Sequence, residues 1–217
     1  MSSVREAREL LLSLAAEVRL RPLGRRPRLV AGLDAAYASG HTFAAACLFT
    51  FPELEPVEEA VVREPTRFPY VPGYLSLREG PALAAAVLRL RRPPDLLIVE
   101  GQGVAHPDRA GLAAIVGVRL GLPAVGCAKS RLVGEYVPPG LEKGSWSSLV
   151  FRDEIVGAVL RTKSGCRPLF VSPGHLVSLE DCVEAVMGCV RLYRQPEPLR
   201  AAHRCSGASA AGFEQGW

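Results

Sequence analysis

Three carboxylates stand where an unpaired charge is expensive. Asp34 lies in the middle of AGLDAAYA, among small and apolar neighbours. Glu79 sits in LSLREG, where a helical pattern opens, and Glu100 closes the apolar run LLIVE. Burying a lone carboxylate costs several kcal/mol, so such a group needs a partner, and a cation is the usual one. Gathered hard oxygen ligands hold Mg²⁺ or Mn²⁺, which also take water and phosphate oxygens. Beside a phosphodiester, such an ion activates water and neutralises the leaving oxygen. Taken singly, each residue has a plainer reading: Glu79 as a complement to the helix dipole, Asp34 as a satisfied buried polar group. Converging at one edge of a sheet, with the helix of Glu79 packed over it, they favour the cation together.

Other residues could serve the same chemistry. Lys129 ends the apolar strand PAVGCAK and is one of only three lysines against 23 arginines. A lysine there offers a compact point charge for a phosphate or a developing anion; otherwise it is a snorkelling surface residue. In FPYVPGY, Pro69 and Pro72 bracket Tyr70 and Val71 and stiffen the segment into an extended loop. A stiff loop with an aromatic tip can enter a base stack, unless the ring tucks into the core. His203, after a proline-rich turn, reads as a surface residue on its own. His41 reads as surface and His175 as structural support.

The elements that position these groups follow from periodicity. Residues 3–20 read as a helix. Strands are expected at 28–38 and 42–51, joined by a Ser39-Gly40 turn, and at 57–64. A helix over 75–90 has Pro81 in its first turn, where proline is tolerated. A buried strand at 95–100 leads to a helix at 109–120 and a strand at 123–129. Two further strands fall around 154–172, and a last helix spans 179–193. Three strands in meander followed by helix, strand, helix and strand make an α/β domain, a ribonuclease H-like mixed sheet with helices on both faces. In that sheet the first and fourth strands are neighbours. Residues 1–204 form a single domain, and 205–217 are expected to be a flexible tail.

Composition narrows the class. With 48% hydrophobic and 22% charged residues among 217, the chain reads as one globular domain. No uncharged apolar run approaches the roughly 18 residues of a membrane span, and the opening MSSVREAREL reads as an amphipathic helix, not a secretory signal. Six scattered cysteines without a CxxC pair read as buried, reduced thiols, so a cytoplasmic location is expected. Of the net charge of +4, residues 1–30 carry an equal share, seven Arg against three Glu. That basic end is compatible with a polyanionic partner.

The assembled stretches resemble the endonuclease V family. They are VAGLDAAYA, FPYVPGYLSLREGPAL, PDLLIVEGQGVAHP, GLPAVGCAKSRLVGEY, KGSWSSL, RTKSGCRPLFVSPGHLVS and RLYRQPEPLRAAH, in family order over residues 28–204. The resemblance implies a ribonuclease H-like fold and a Mg²⁺-dependent nuclease, with Mn²⁺ able to substitute. Such an enzyme nicks DNA one nucleotide 3′ to a deoxyinosine, the product of adenine deamination, in DNA repair. Inosine in single-stranded RNA is a further implied substrate, and a monomer is expected. A junction resolvase of the same fold is a weaker alternative, because it has no use for the FPYVPG loop.

Residue by residue, the resemblance makes Asp34 a metal ligand and Glu79 a ligand acting through water. Glu100 occupies the place of the family's usual Asp in DGQG or DGHG. Its extra carbon moves the oxygens out by about 1.5 Å, so a catalytically impaired inosine-binding protein is the alternative. Lys129 and His203 match catalytic positions. Pro69, Tyr70, Val71 and Pro72 match the DNA wedge. Gly73, Gly101, Gly103 and Gly126 match the base pocket, with Leu75 and Leu112 as its apolar walls. Arg78 would pair with a phosphate or orient Glu79. His106, in the His-Pro pair, would contact the nucleic-acid backbone or support the pocket.

Overall fold

The structure is a computed structural model and describes residues 4–215. One eight-stranded mixed sheet runs through it in the order β3-β2-β1-β4-β5-β8-β7-β6. The strands are β1 (Leu29–Ala38), β2 (His41–Thr50), β3 (Pro56–Pro65), β4 (Leu96–Val99), β5 (Ala124–Ala128), β6 (Trp146–Phe151), β7 (Glu154–Leu160) and β8 (Leu169–His175). The helices are α1 (Val4–Ala16), α2 (Leu75–Leu88), α3 (Leu112–Leu120), α4 (Leu179–Gly188) and α5 (Glu197–Glu214).

The Ser39-Gly40 turn forms as expected, with φ of 44° and 76°, and sets the antiparallel β1–β2 register. Such positive φ values match the right-handed twist of a hairpin. β4 is apolar at all four positions and pairs in parallel with both β1 and β5, so it is buried on both faces. Ala31 and Leu33 of β1 pack with α2 and α3 on one face, in a cluster that includes Leu83, Val99 and Val116. Val30 packs with α4 and with Leu199 of α5 on the other. Among the described residues no helix is long and apolar enough to cross a membrane.

Several elements depart from the sequence reading. The helix expected over 3–20 ends at Ala16; its first residue lies outside the described residues. Past that end, the Arg19 N–H donates to His175 Nδ1 at 3.2 Å and the Arg19 carbonyl accepts from Leu176 N at 2.6 Å, which draws the chain toward β8. Pro81 is not in the first turn but inside α2, where the Leu77 carbonyl loses its helical donor. β6 went unread because only Leu149 of its residues is fully buried and its turn, Arg152-Asp153, contains no glycine although both residues have positive φ. The helix expected over 179–193 stops at Gly188, where a Cβ would sit 2.6 Å from the Phe51 ring.

The largest correction is the C-terminal tail. Residues 205–214 are the second half of α5, and Ser206 and Ala210 are buried. Residues 216–217 of that expected tail lie outside the described residues. Small residues concealed the helix: Pro198, Ala202, Ser206 and Ala210 make a buried stripe with the i, i+4 spacing but no large apolar side chain. That stripe lets the helix backbone approach the sheet. A Cβ on Gly32 would lie 2.1 Å from the Pro198 carbonyl carbon, so only glycine fits beneath the helix start.

Candidate active site

Strand alternation sends β1 to both sides of the sheet. Gly32 faces α5, and Asp34, two residues on, leaves the same face. There the carboxylate of Asp34 accepts a hydrogen bond from His203 Nδ1 at 2.7 Å, although His203 is itself two-thirds exposed (66%). Tyr37 has the opposite parity and leaves the α2 face. Its hydroxyl donates to Glu79 Oε1 at 2.6 Å. Glu100 follows β4, and its N–H continues the β1 pairing by donating to the Leu33 carbonyl at 3.0 Å. The Glu100 carboxylate accepts from Gln195 Nε2 at 2.8 Å and pairs with Lys129 Nζ at 3.5 Å.

All three carboxylates line one pocket of about 470 Å³, together with Lys129. Its other rim is the segment Tyr70, Val71, Pro72 and Gly73, with Leu75 and Leu112 in the wall. Tyr70 is 71% exposed, which excludes the ring tucked into the core. Gly73 has φ +83° and Gly101 φ +151°, both on the pocket lining.

Gly103 and Gly126 are not on that lining, a correction to the expected base pocket. They pack behind it: a Cβ on Gly103 would lie 2.0 Å from the Pro173 carbonyl, and one on Gly126 would lie 2.3 Å from Gly103 N. They let the loop after β4 lie flat on β5 and β8. Arg78 is also absent from the lining. Its guanidinium lies 4.2 Å over the Tyr37 ring and donates to the Phe68 carbonyl at 3.2 Å, so it reaches Glu79 through Tyr37.

His106 holds the rim. Burial keeps its imidazole below the ordinary value of 6.5, hence neutral. The Gly73 carbonyl, 2.9 Å from Nε2, can only accept, so Nε2 carries the proton. Nδ1 then accepts the Asp108 N–H at 3.2 Å.

The electrostatics show crowding. Burial first, then the neighbouring Asp34 and Glu100 charges, push Glu79 up to about 7 against the hydrogen bond from Tyr37. Glu100 is also raised by burial and by Asp34, against the opposing pull of Lys129. A carboxylate wall in which Asp34 and Glu100 raise Glu79, and Asp34 raises Glu100, is a donor set suited to a divalent cation, so the residues fit Mg²⁺. They do not close on one point, however. Among the described residues, the three carboxylates are not a set whose oxygens all lie within 4.8 Å of one another. Each is drawn to its own partner: His203, Tyr37, or Gln195 with Lys129.

Tyr37 and Gln195 were missed by sequence reasoning. Tyr37 lay in the quoted AGLDAAYA, and its parity opposite to Asp34 was the usable signal. Gln195 had none, because its partner is 95 residues away. Gln102 was also missed: Nε2 donates to the Ser130 carbonyl at 2.9 Å, while its buried Oε1 has no partner and the residue lines the pocket.

Comparison with known proteins agrees across the chain. The Endonuclease V family model matches residues 12–204. An Endonuclease V of Geotalea uraniireducens is 54% identical over 201 residues, 93% of this chain and 86% of that one. The crystal structure of Endonuclease V from Streptomyces avermitilis superposes with a TM-score of 0.94 at 37% identity, covering 99% of this chain and 96% of that one. The fold also matches Endonuclease V of Ciona intestinalis, solved in complex with DNA containing an inosine followed by a ribo-adenosine. There the TM-score is 0.85 at 23% identity, covering 97% of this chain and 98% of that one. The matched length and the identity to relatives settle the assignment: this chain belongs to the Endonuclease V family.

Proposed function

We propose that this protein is a metal-dependent endonuclease that recognises deoxyinosine in DNA and hydrolyses the phosphodiester one nucleotide 3′ to the lesion, as a DNA-repair enzyme acting as a monomer in the cytoplasm. The carrying observation is that one pocket has a carboxylate wall of Asp34, Glu79 and Glu100 facing an exposed loop with Tyr70 at its tip. Family membership supports the nuclease class, and the Ciona complex supplies the precedent for inosine-containing DNA.

Asp34 and Glu100 would hold the divalent ion, Mg²⁺ or in its place Mn²⁺, with Glu79 reaching it through water. When bound, the ion supplies Lewis-acid stabilisation of charge on the phosphodiester. His203 donates to Asp34 and orients that carboxylate. Lys129 offers its ammonium to the scissile phosphate while balancing Glu100. Pro69, Tyr70, Val71 and Pro72 enter the stack beside the lesion and hold the duplex open. Unpairing costs least at a poorly paired base, and hypoxanthine is one. The extruded base enters between Leu75 and Leu112, over Gly73 and Gly101. The unpartnered Gln102 Oε1 accepts a ring N–H, which hypoxanthine carries at N1 and adenine lacks.

Inosine in single-stranded RNA offers the same base and extends the substrate range. The test is incubation of inosine and adenosine oligonucleotides, DNA and RNA, with Mg²⁺, Mn²⁺ or chelator, with products mapped to the nucleotide. A single metal-dependent nick 3′ to inosine is expected. Tight inosine binding with no nick in either metal would replace this reading with that of an impaired binder at Glu100.

A further inference from the structure

Away from the pocket, a second cluster joins the sheet to α5. Cys47 on β2 and Glu59 on β3 are cross-strand partners, so their side chains leave the same face of the sheet. α5 covers that face, packing Ala201, Ala202 and Cys205 against Ala45 and Cys47. The Cys47 and Cys205 sulfurs are 3.6 Å apart, and Cys205 Sγ is 3.2 Å from Glu59 Oε2. Among the described residues this is the set of metal-ligating side chains whose donor atoms all fall within 4.8 Å of one another.

Those spacings match one coordination geometry. Tetrahedral Zn²⁺, with Zn–S of about 2.3 Å and Zn–O of about 2.0 Å, places two sulfurs about 3.8 Å apart and a sulfur and an oxygen about 3.5 Å apart. Both observed separations fall within about 0.3 Å of these edges. A disulfide would need the sulfurs to close to about 2.05 Å. We propose that Cys47, Glu59 and Cys205 form a Zn²⁺ site, with solvent in the fourth position.

The protons balance without any redox partner. In the metal-free arrangement Cys47 S–H donates to the Cys205 sulfur and Cys205 S–H donates to the Glu59 carboxylate. One Zn²⁺ replaces those two thiol protons, which leave to solvent. Cys47 is buried and fixed by its strand, whereas Glu59 is exposed and gives the ion a way in. The site ties α5 to β2 and β3. Because α5 also carries His203 against Asp34, the clamp steadies one wall of the pocket without touching substrate.

The test uses Co²⁺ as a spectroscopic probe on reduced, chelator-stripped protein carrying Asp34→Ala, which removes the carboxylate pocket as a competitor. A thiolate-to-cobalt charge-transfer band saturating at one equivalent is expected, displaced by Zn²⁺. It should be lost on adding Cys205→Ser. Glu59→Gln, at an exposed position that leaves both thiols in place, should weaken Co²⁺ binding while the chain stays folded. Zn²⁺ should raise the melting temperature of the Asp34→Ala protein and not of the double variant. Absence of the band, its survival in Cys205→Ser, or loss of both thiols to a disulfide under the same reducing conditions overturns the proposal.

Discussion

The two rims of the pocket are built in opposite ways. Asp34, Glu100 and Lys129 lie in or immediately after β1, β4 and β5, whose backbones are paired on both sides. The opposite rim, residues 69–73, belongs to no helix or strand. It is pinned by single contacts: His106 to the Gly73 carbonyl, the Tyr74 N–H to the Val71 carbonyl and Arg78 to the Phe68 carbonyl. Under the proposed function, the groups that meet reacting atoms within a fraction of an ångström are carried by the stiff part. The Tyr70 ring, proposed as the wedge that enters a base stack, stands exposed on the loop of the opposite rim, where it is free to meet substrate. Variants of the wall should therefore alter turnover, and variants of the loop should alter binding.

The strongest challenge to that division is Asp34→Ala. Cleavage should be lost while inosine-DNA affinity and the melting curve are retained; residual nicking at the normal rate would remove Asp34 from the chemistry. Gly32→Ala attacks the wall from beneath, by driving a methyl group into the start of α5. Overpacking of that kind costs about 1–3 kcal/mol, to be measured by denaturant unfolding, and it should slow cleavage by drawing His203 off Asp34. An unchanged unfolding curve would mean that α5 is free to shift.

Tyr70→Ala should weaken binding of inosine DNA by about 1–3 kcal/mol if the ring stacks on a base, with turnover at saturating substrate preserved. Equal affinity would refute the wedge. Glu100→Asp draws the carboxylate back by about 1.5 Å, away from Gln195 and Lys129. Mg²⁺-supported cleavage should rise relative to Mn²⁺, and an unchanged ratio would mean the longer side chain is fully accommodated.

The smallest effect concerns the pinning of the loop. Folding holds His106 below 6.5, so as pH falls through 6.5 the unfolded chain takes up a proton before the folded one. Stability present above pH 6.5 is then lost below it, and His106→Gln should flatten that slope in chemical denaturation across the same window.

Much of the site could be read from local pattern. Asp34 amid small residues, Glu100 after a wholly apolar strand and Tyr70 between two prolines each announce themselves within a few residues, because alternation and proline stiffening act at short range. The carboxylates' convergence followed from strand order, since β1 and β4 pair directly. Their spacing did not. It depends on His203 and Gln195, which lie 169 and 95 residues from the groups they bond.

The amino-acid order by itself determined every strand but β6, the apolar centre of the sheet, the family and the residue types available for catalysis. Only the tertiary structure decided that 197–214 is a helix, that Gly101 faces the pocket while Gly103 and Gly126 pack behind it, and that Cys47 meets Glu59 and Cys205. The reason is physical. Periodicity records which side of an element is buried, whereas a close approach of small residues or a hydrogen-bond partner exists only once distant segments are packed together.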